Sequence, residues 1–60
     1  MTAKEVMKLL EADGWEVKAV RGSHFQYQHP TKSGKVTVAN HKGDIPPGTL
    51  ASIMRQAGLK

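Results

Sequence analysis

Apolar and polar residues recur with two different periods along this chain, and the changes of period divide it into five segments. In the first, Ala3, Val6, Leu9 and Leu10 follow the helical period of about 3.6 residues, with Met7 at the edge of the stripe and Lys4, Lys8 and Glu11 outside it. An amphipathic helix beginning near Ala3 is expected. Thr2 and Glu5 have the spacing of a capping box, in which each side chain satisfies a backbone amide of the first turn. Gly14 follows Asp13 as the left-handed residue that stops the helix.

From Trp15 the period becomes two. Trp15, Val17 and Ala19 point one way and Glu16, Lys18 and Val20 the other, which predicts a short strand. Arg21, Gly22 and Ser23 form a turn, and Phe25 and Tyr27 then alternate with His24, Gln26 and Gln28. A second turn, PTKSG at 30–34, precedes a third strand in which Val36 and Val38 alternate with Lys35, Thr37 and Ala39. Pairing Phe25 with Val38 keeps all four apolar side chains on one face, because a slip of one residue inverts a strand. The loop NHKGDIPPG at 40–48 is kept from being a central strand by its two prolines.

In the last segment Leu50, Ile53, Met54 and Ala57 have helical spacing, with Pro46 or Pro47 in the first turn, Gly58 as the stop and Leu59 as its apolar contact. Asp44 is the expected cap of this helix. The order helix, strand, strand, strand, helix describes an α+β fold of two layers: a three-stranded antiparallel sheet with both helices on one face and the other face open. Trp15, Phe25 and Tyr27 fall on the covered face, so they read as core and not as a platform for stacking bases. Met7 and Met54 are packing residues.

Length and composition narrow the partners. With 60 residues, the chain closes one core, and a single domain over 1–60 is expected. A core of this size supplies roughly 3–5 kcal/mol, so a partner that adds stability is expected. There is no cysteine, which removes disulfides and thiolate zinc sites. The N-terminal segment lacks the ~7–15 residue apolar run of a signal peptide, and no run approaches the ~20 residues of a membrane span. A cytoplasmic location is therefore the expectation. The net charge of +4 and the pI near 9.8 point to a polyanionic partner.

His24 is the first candidate for chemistry. It follows a glycine turn and shares the open face with Gln26 and Gln28, with Lys18, Arg21 and Lys35 nearby to attract phosphates. An imidazole can take or give a proton at neutral pH, as a general acid or base must. RNA suits a site so poor in other groups, because its own 2′-OH can attack the adjacent phosphate, with no metal or other cofactor. Lys18, Arg21, Ser23, Gln26 and Lys35 are the expected RNA contacts, and Gly22 the structural turn residue that accepts φ > 0. If the third strand extends to His41, register places that residue opposite Gly22, where it is a candidate auxiliary acid diagonal to His24. His29 has the opposite parity and reads as a turn residue. The spacings of the three histidines match no metal-ligand pattern.

Four stretches in order, LLEADGW at 9–15, GSHFQYQHP at 22–30, VTV at 36–38 and HKGDIPPGTLASIMRQAGL at 41–59, together resemble the small HicA-type (YcfA-like) toxins of bacterial toxin-antitoxin pairs. Taken alone, GSH is a weak signal; the ordered set is specific and covers nearly the whole chain. The resemblance implies a double-stranded-RNA-binding-domain-like fold and a ribosome-independent mRNA interferase whose catalytic histidine is His24. It also implies a HicB-type antitoxin that covers the active face and reaches operator DNA through its own DNA-binding part. The residues leave two other readings open, a non-catalytic binder of double-stranded RNA and a module that binds only an acidic protein.

Overall fold

The computed structural model describes residues 1–59. Its elements are α1 (Ala3–Ala12), β1 (Glu16–Arg21), β2 (His24–Gln28), β3 (Val36–Ala39) and α2 (Pro47–Gln56). The sheet is antiparallel with strand order β1-β2-β3. Both helices pack against β3. This is the α+β, double-stranded-RNA-binding-domain-like arrangement. Among the described residues no helix is long and apolar enough to cross a membrane.

Local chemistry explains the helix ends. The Thr2 hydroxyl accepts from the Glu5 amide at 3.3 Å, and the Glu5 carboxylate accepts from the Thr2 amide at 2.8 Å, so the capping box is closed. At the other end of α1 the Gly14 amide donates to the Glu11 carbonyl at 3.1 Å and Trp15 to Leu10 at 2.9 Å. That is a Schellman stop, with Gly14 at φ +99° and its apolar partners Leu10 and Trp15 both buried. Helix α2 ends in the same way, Gly58 bonding Arg55 at 3.2 Å and Leu59 bonding Met54 at 2.9 Å. Its start differs from expectation. Pro46 is the N-cap with no side-chain bond, and Asp44 does not cap the helix. The paired prolines set the N-cap two residues beyond Asp44, out of reach of the first-turn amides. Asp44 instead bridges to Thr2, and its carboxylate lies 3.5 Å from the amino group of Met1.

The core contains Val6, Leu10, Trp15, Tyr27, Val36 and Val38, each essentially without solvent contact. Phe25 pairs with Val38 and Tyr27 with Val36, as the alternation requires. Two expectations fail at the margins. Leu9 is 41% exposed, whereas Met7 packs against the core. Both flank the stripe of Ala3, Val6 and Leu10, and the position of the sheet decides which flank is covered. In β1 the register shifts between Val17 and Ala19, leaving Lys18 as the extra residue of a bulge. Val17 stays opposite Tyr27, but Ala19 now lies opposite Gln26 and Val20 opposite Phe25. Beyond the bulge, therefore, the faces of β1 are reversed from those expected.

The β2–β3 connection is tied to both helix C-termini. His29 Nε2 lies 2.7 Å from the Asp13 carbonyl, and the Thr31 and Lys32 amides donate to Nδ1 at 3.1 and 3.0 Å. An amide N–H can only donate and a carbonyl can only accept, so the ring is the neutral tautomer protonated at Nε2. The ring makes a T-shaped contact with Trp15, centroids 5.1 Å apart. The Lys32 ammonium donates to the Asp13 carboxylate and, at 3.1 Å, to the Ala57 carbonyl at the end of α2. The hydrogen bond from Lys32 holds the Asp13 carboxyl below its usual range. Among the described residues the buried Trp15 N–H and Tyr27 hydroxyl have no hydrogen-bond partner. Burial, and secondarily the Glu11 carboxylate, push the Tyr27 phenol up.

A Cβ added at Gly14 would stand 2.8 Å from His29 Nε2, at a φ that L side chains rarely adopt. Gly14→Ala is expected to lower the free energy of unfolding by more than about 1 kcal/mol. Urea unfolding followed by circular dichroism measures this, and an unchanged midpoint would contradict the account.

Candidate active site

The open face is built by alternation on β2, the central strand. His24, Gln26 and Gln28 project to the side opposite Phe25 and Tyr27, and their cross-strand partners share that side. His24 has Arg21 on one flank and Ala39 on the other; Gln26 has Ala19 and Thr37; Gln28 has Glu16. His24 is exposed at the hairpin end of this face, and among the described residues no group hydrogen-bonds its ring. The imidazole is free to meet a ligand.

Arg21 belongs to β1 and not to the turn. The turn is the pair Gly22 and Ser23, with Gly22 at φ +58°, the first central position where a type II′ hairpin favours glycine. This tight connection puts the guanidinium-bearing residue directly across from His24. Cross-strand partners have Cα atoms roughly 4.5–5.5 Å apart, within reach of one phosphate group for both side chains.

The other expected cations are not brought to His24. Lys18 is the bulge residue, three positions along β1 from Arg21, and Lys35 immediately precedes β3, four positions from Ala39. At about 3.3 Å per residue these are separations of roughly 10 and 13 Å along the sheet. They suit a backbone extending across the face, whereas Arg21 suits the phosphate at His24. Ser23 is half-buried, and its carbonyl accepts the Asn40 amide at 2.7 Å, tying the hairpin turn to the end of β3. Gln26 lies at the middle of the face, flanked on both sides.

His41 does not continue the alternation. β3 ends at Ala39, and the His41 amide turns back to the Ala39 carbonyl at 3.0 Å, closing a γ-turn that takes the chain off the sheet. His41 is exposed in the loop before α2, beside a cavity of about 270 Å³. Sequence reasoning passed over this cavity and Lys42 on its wall; the only signal was the Pro46–Pro47 pair, which forces a wide loop. His29, expected as a simple turn residue, is the most fully engaged of the three histidines. Among the described residues no group of three or more His, Asp or Glu side chains converges as metal ligands would.

The three rings should separate chemically. Diethyl pyrocarbonate, which acylates free imidazole nitrogen, is expected to modify His24 and His41 and to spare His29 in the folded protein, as mapped by mass spectrometry. Modification of His29 at the rate of His24 would contradict the hydrogen bonding described above.

Compared with known proteins, residues 3–59 match the family described as the HicA toxin of bacterial toxin-antitoxin. No curated protein matches the chain.

Proposed function

The chain belongs to the HicA toxin family of bacterial toxin-antitoxin systems, and from that premise we propose that it is a metal-independent endoribonuclease acting on mRNA through His24. The observation that carries this reading is the pairing of an exposed, unengaged imidazole with Arg21 on a sheet face that no helix covers. An RNA strand lying on that face brings its own nucleophile. With His24 as general base, the ring takes the proton of a 2′-OH, the oxygen attacks the adjacent phosphorus, and the bond to the 5′-oxygen breaks. That oxygen leaves with a proton from water, giving a 2′,3′-cyclic phosphate and a 5′-hydroxyl. As general acid, His24 would instead supply the leaving-group proton. Arg21 stabilises the charge that gathers on the phosphorane oxygens. Lys18, Lys35, Ser23 and Gln26 contact the strand on either side of the cut.

Control falls to a HicB-type antitoxin. An exposed basic face on a chain of net charge +4 favours an acidic partner that covers His24. Contact with operator DNA belongs to that partner. The substrate places the protein in the cytoplasm. His41, left off the sheet by the γ-turn, is the comparison residue for the auxiliary acid role.

Induction of the unaltered protein should arrest growth and fragment mRNA, and His24→Ala at the same soluble level should do neither. With purified RNA the loss is expected to be ~10²- to 10⁴-fold in rate, with RNA association retained; His41→Ala should cut at a rate closer to the unaltered protein. Equal cleavage by the His24→Ala protein would remove His24 from the mechanism. Association without any shortening of RNA by the unaltered protein would favour a non-catalytic binder.

A further inference from the structure

On the open face the exposed Arg21 and His24 are taken by the phosphate and its proton transfer, which leaves the half-buried Gln26 and Gln28 to touch a base. The larger aromatic planes are not offered there, since Trp15 and Tyr27 are sealed in the core and Phe25 packs against it. Beyond Ala39, at the end of β3, is a cavity lined in part by Ala39, Ile45 and Ile53 and by Lys42, Asp44 and Thr49. Ala39 is both a wall of this cavity and the cross-strand partner of His24. The cavity therefore begins one strand away from His24, where the end of β3 meets α2.

We infer that this cavity is the base-recognition pocket for a nucleotide flanking the scissile phosphate. The inference rests on the ribonuclease reading and adds to it the part of the substrate that is recognised. Size is the first argument. At about 270 Å³ the cavity falls just below the ~300–1,000 Å³ clefts that hold drug-sized ligands, which suits one ring system and not a chain of nucleotides. Chemistry is the second. Ala39, Ile45 and the nearly buried Ile53 offer apolar surface to the faces of a ring. Lys42 offers a donor, Asp44 an acceptor and Thr49 both, which is what the edge of a base requires. Single-stranded RNA is read in this way, by unstacked bases turned into pockets and hydrogen-bonded at their edges. Position is the third: Ala39, roughly 5 Å from His24 across the sheet, is the near wall, so a nucleotide that flanks the scissile phosphate has one strand to cross to reach the cavity.

The test uses the full chain and a single-stranded oligoribonucleotide with one cut site. An abasic ribose is placed in turn at each nucleotide flanking the cut. One of these substitutions is expected to lower kcat/KM about 10-fold, the usual scale for losing a well-bonded base. Thr49→Leu, which narrows the cavity from an exposed helix position, and Lys42→Ala should each bring the intact oligonucleotide down toward the abasic level. Neither should slow the abasic oligonucleotide further, and circular dichroism should show the fold retained. Equal slowing of both substrates by both variants, or indifference to base removal at both flanking positions, would overturn the inference while leaving the ribonuclease reading intact. Unchanged cleavage by Thr49→Leu together with a weakened antitoxin complex would also overturn it, assigning the cavity to a protein side chain. No cleavage by the unaltered protein would overturn both.

Discussion

Pairing Phe25 with Val38 places Phe25, Tyr27, Val36 and Val38 on the face that the helices cover and leaves His24, Gln26, Thr37 and Ala39 on the face they do not. A slip of one residue would exchange the two sets. Removing Tyr27, Val36 and Val38 from the core would forfeit about 1.5–3 kcal/mol for each aliphatic side chain and a comparable amount for the ring. A chain of this size has roughly 3–5 kcal/mol of net stability, so the slipped register cannot compete. The position of His24 is thus a consequence of packing on the other side of the same strand. Core and site are two faces of one alternation.

The three histidines show how the same side chain is put to different uses by position. His29 lies at the far end of β2 from His24, where its ring joins α1, the β2–β3 loop and Trp15. Lys32 extends that connection to α2. A ring whose two nitrogens are both hydrogen-bonded within the fold has no open position at which to meet a substrate. His24 begins the strand with neither nitrogen bonded among the described residues, and His41 stands in a loop beside a cavity. Structure is secured at one end of β2, and chemistry is available at the other.

Much of this was legible in the residues. The element order, the Phe25–Val38 register, the capping box at Thr2 and Glu5 and both glycine stops follow from periodicity and turn chemistry, and the structure has them. The bulge at Lys18 was hidden because apolar residues stand on both parities of β1, Val17 and Ala19 on one and Val20 on the other. Periodicity left Leu9 and Met7 on opposite flanks of one stripe, and tertiary packing chose between them. His41 left the sheet through a γ-turn that has no sequence signature, and Asp44 lost its cap to the proline pair. At the site, Arg21 was expected as a turn residue near His24, and the two-residue Gly22–Ser23 hairpin instead makes it the strand partner of His24. Lys18 and Lys35 were grouped with them only by closeness in sequence, and the sheet holds them well along the strands.

For a site with one imidazole and one guanidinium, the nucleophile has to come from the substrate, and that dependence is the central claim. The most direct measurement compares an oligoribonucleotide with the same molecule carrying a single 2′-deoxyribose at its cut site, with the products read by mass spectrometry. The account predicts a 2′,3′-cyclic phosphate, or the monophosphate it hydrolyses to, from the first, and no cleavage at that bond in the second. Cutting of the deoxy-substituted bond at an equal rate would contradict it, because the attacking oxygen would then come from elsewhere.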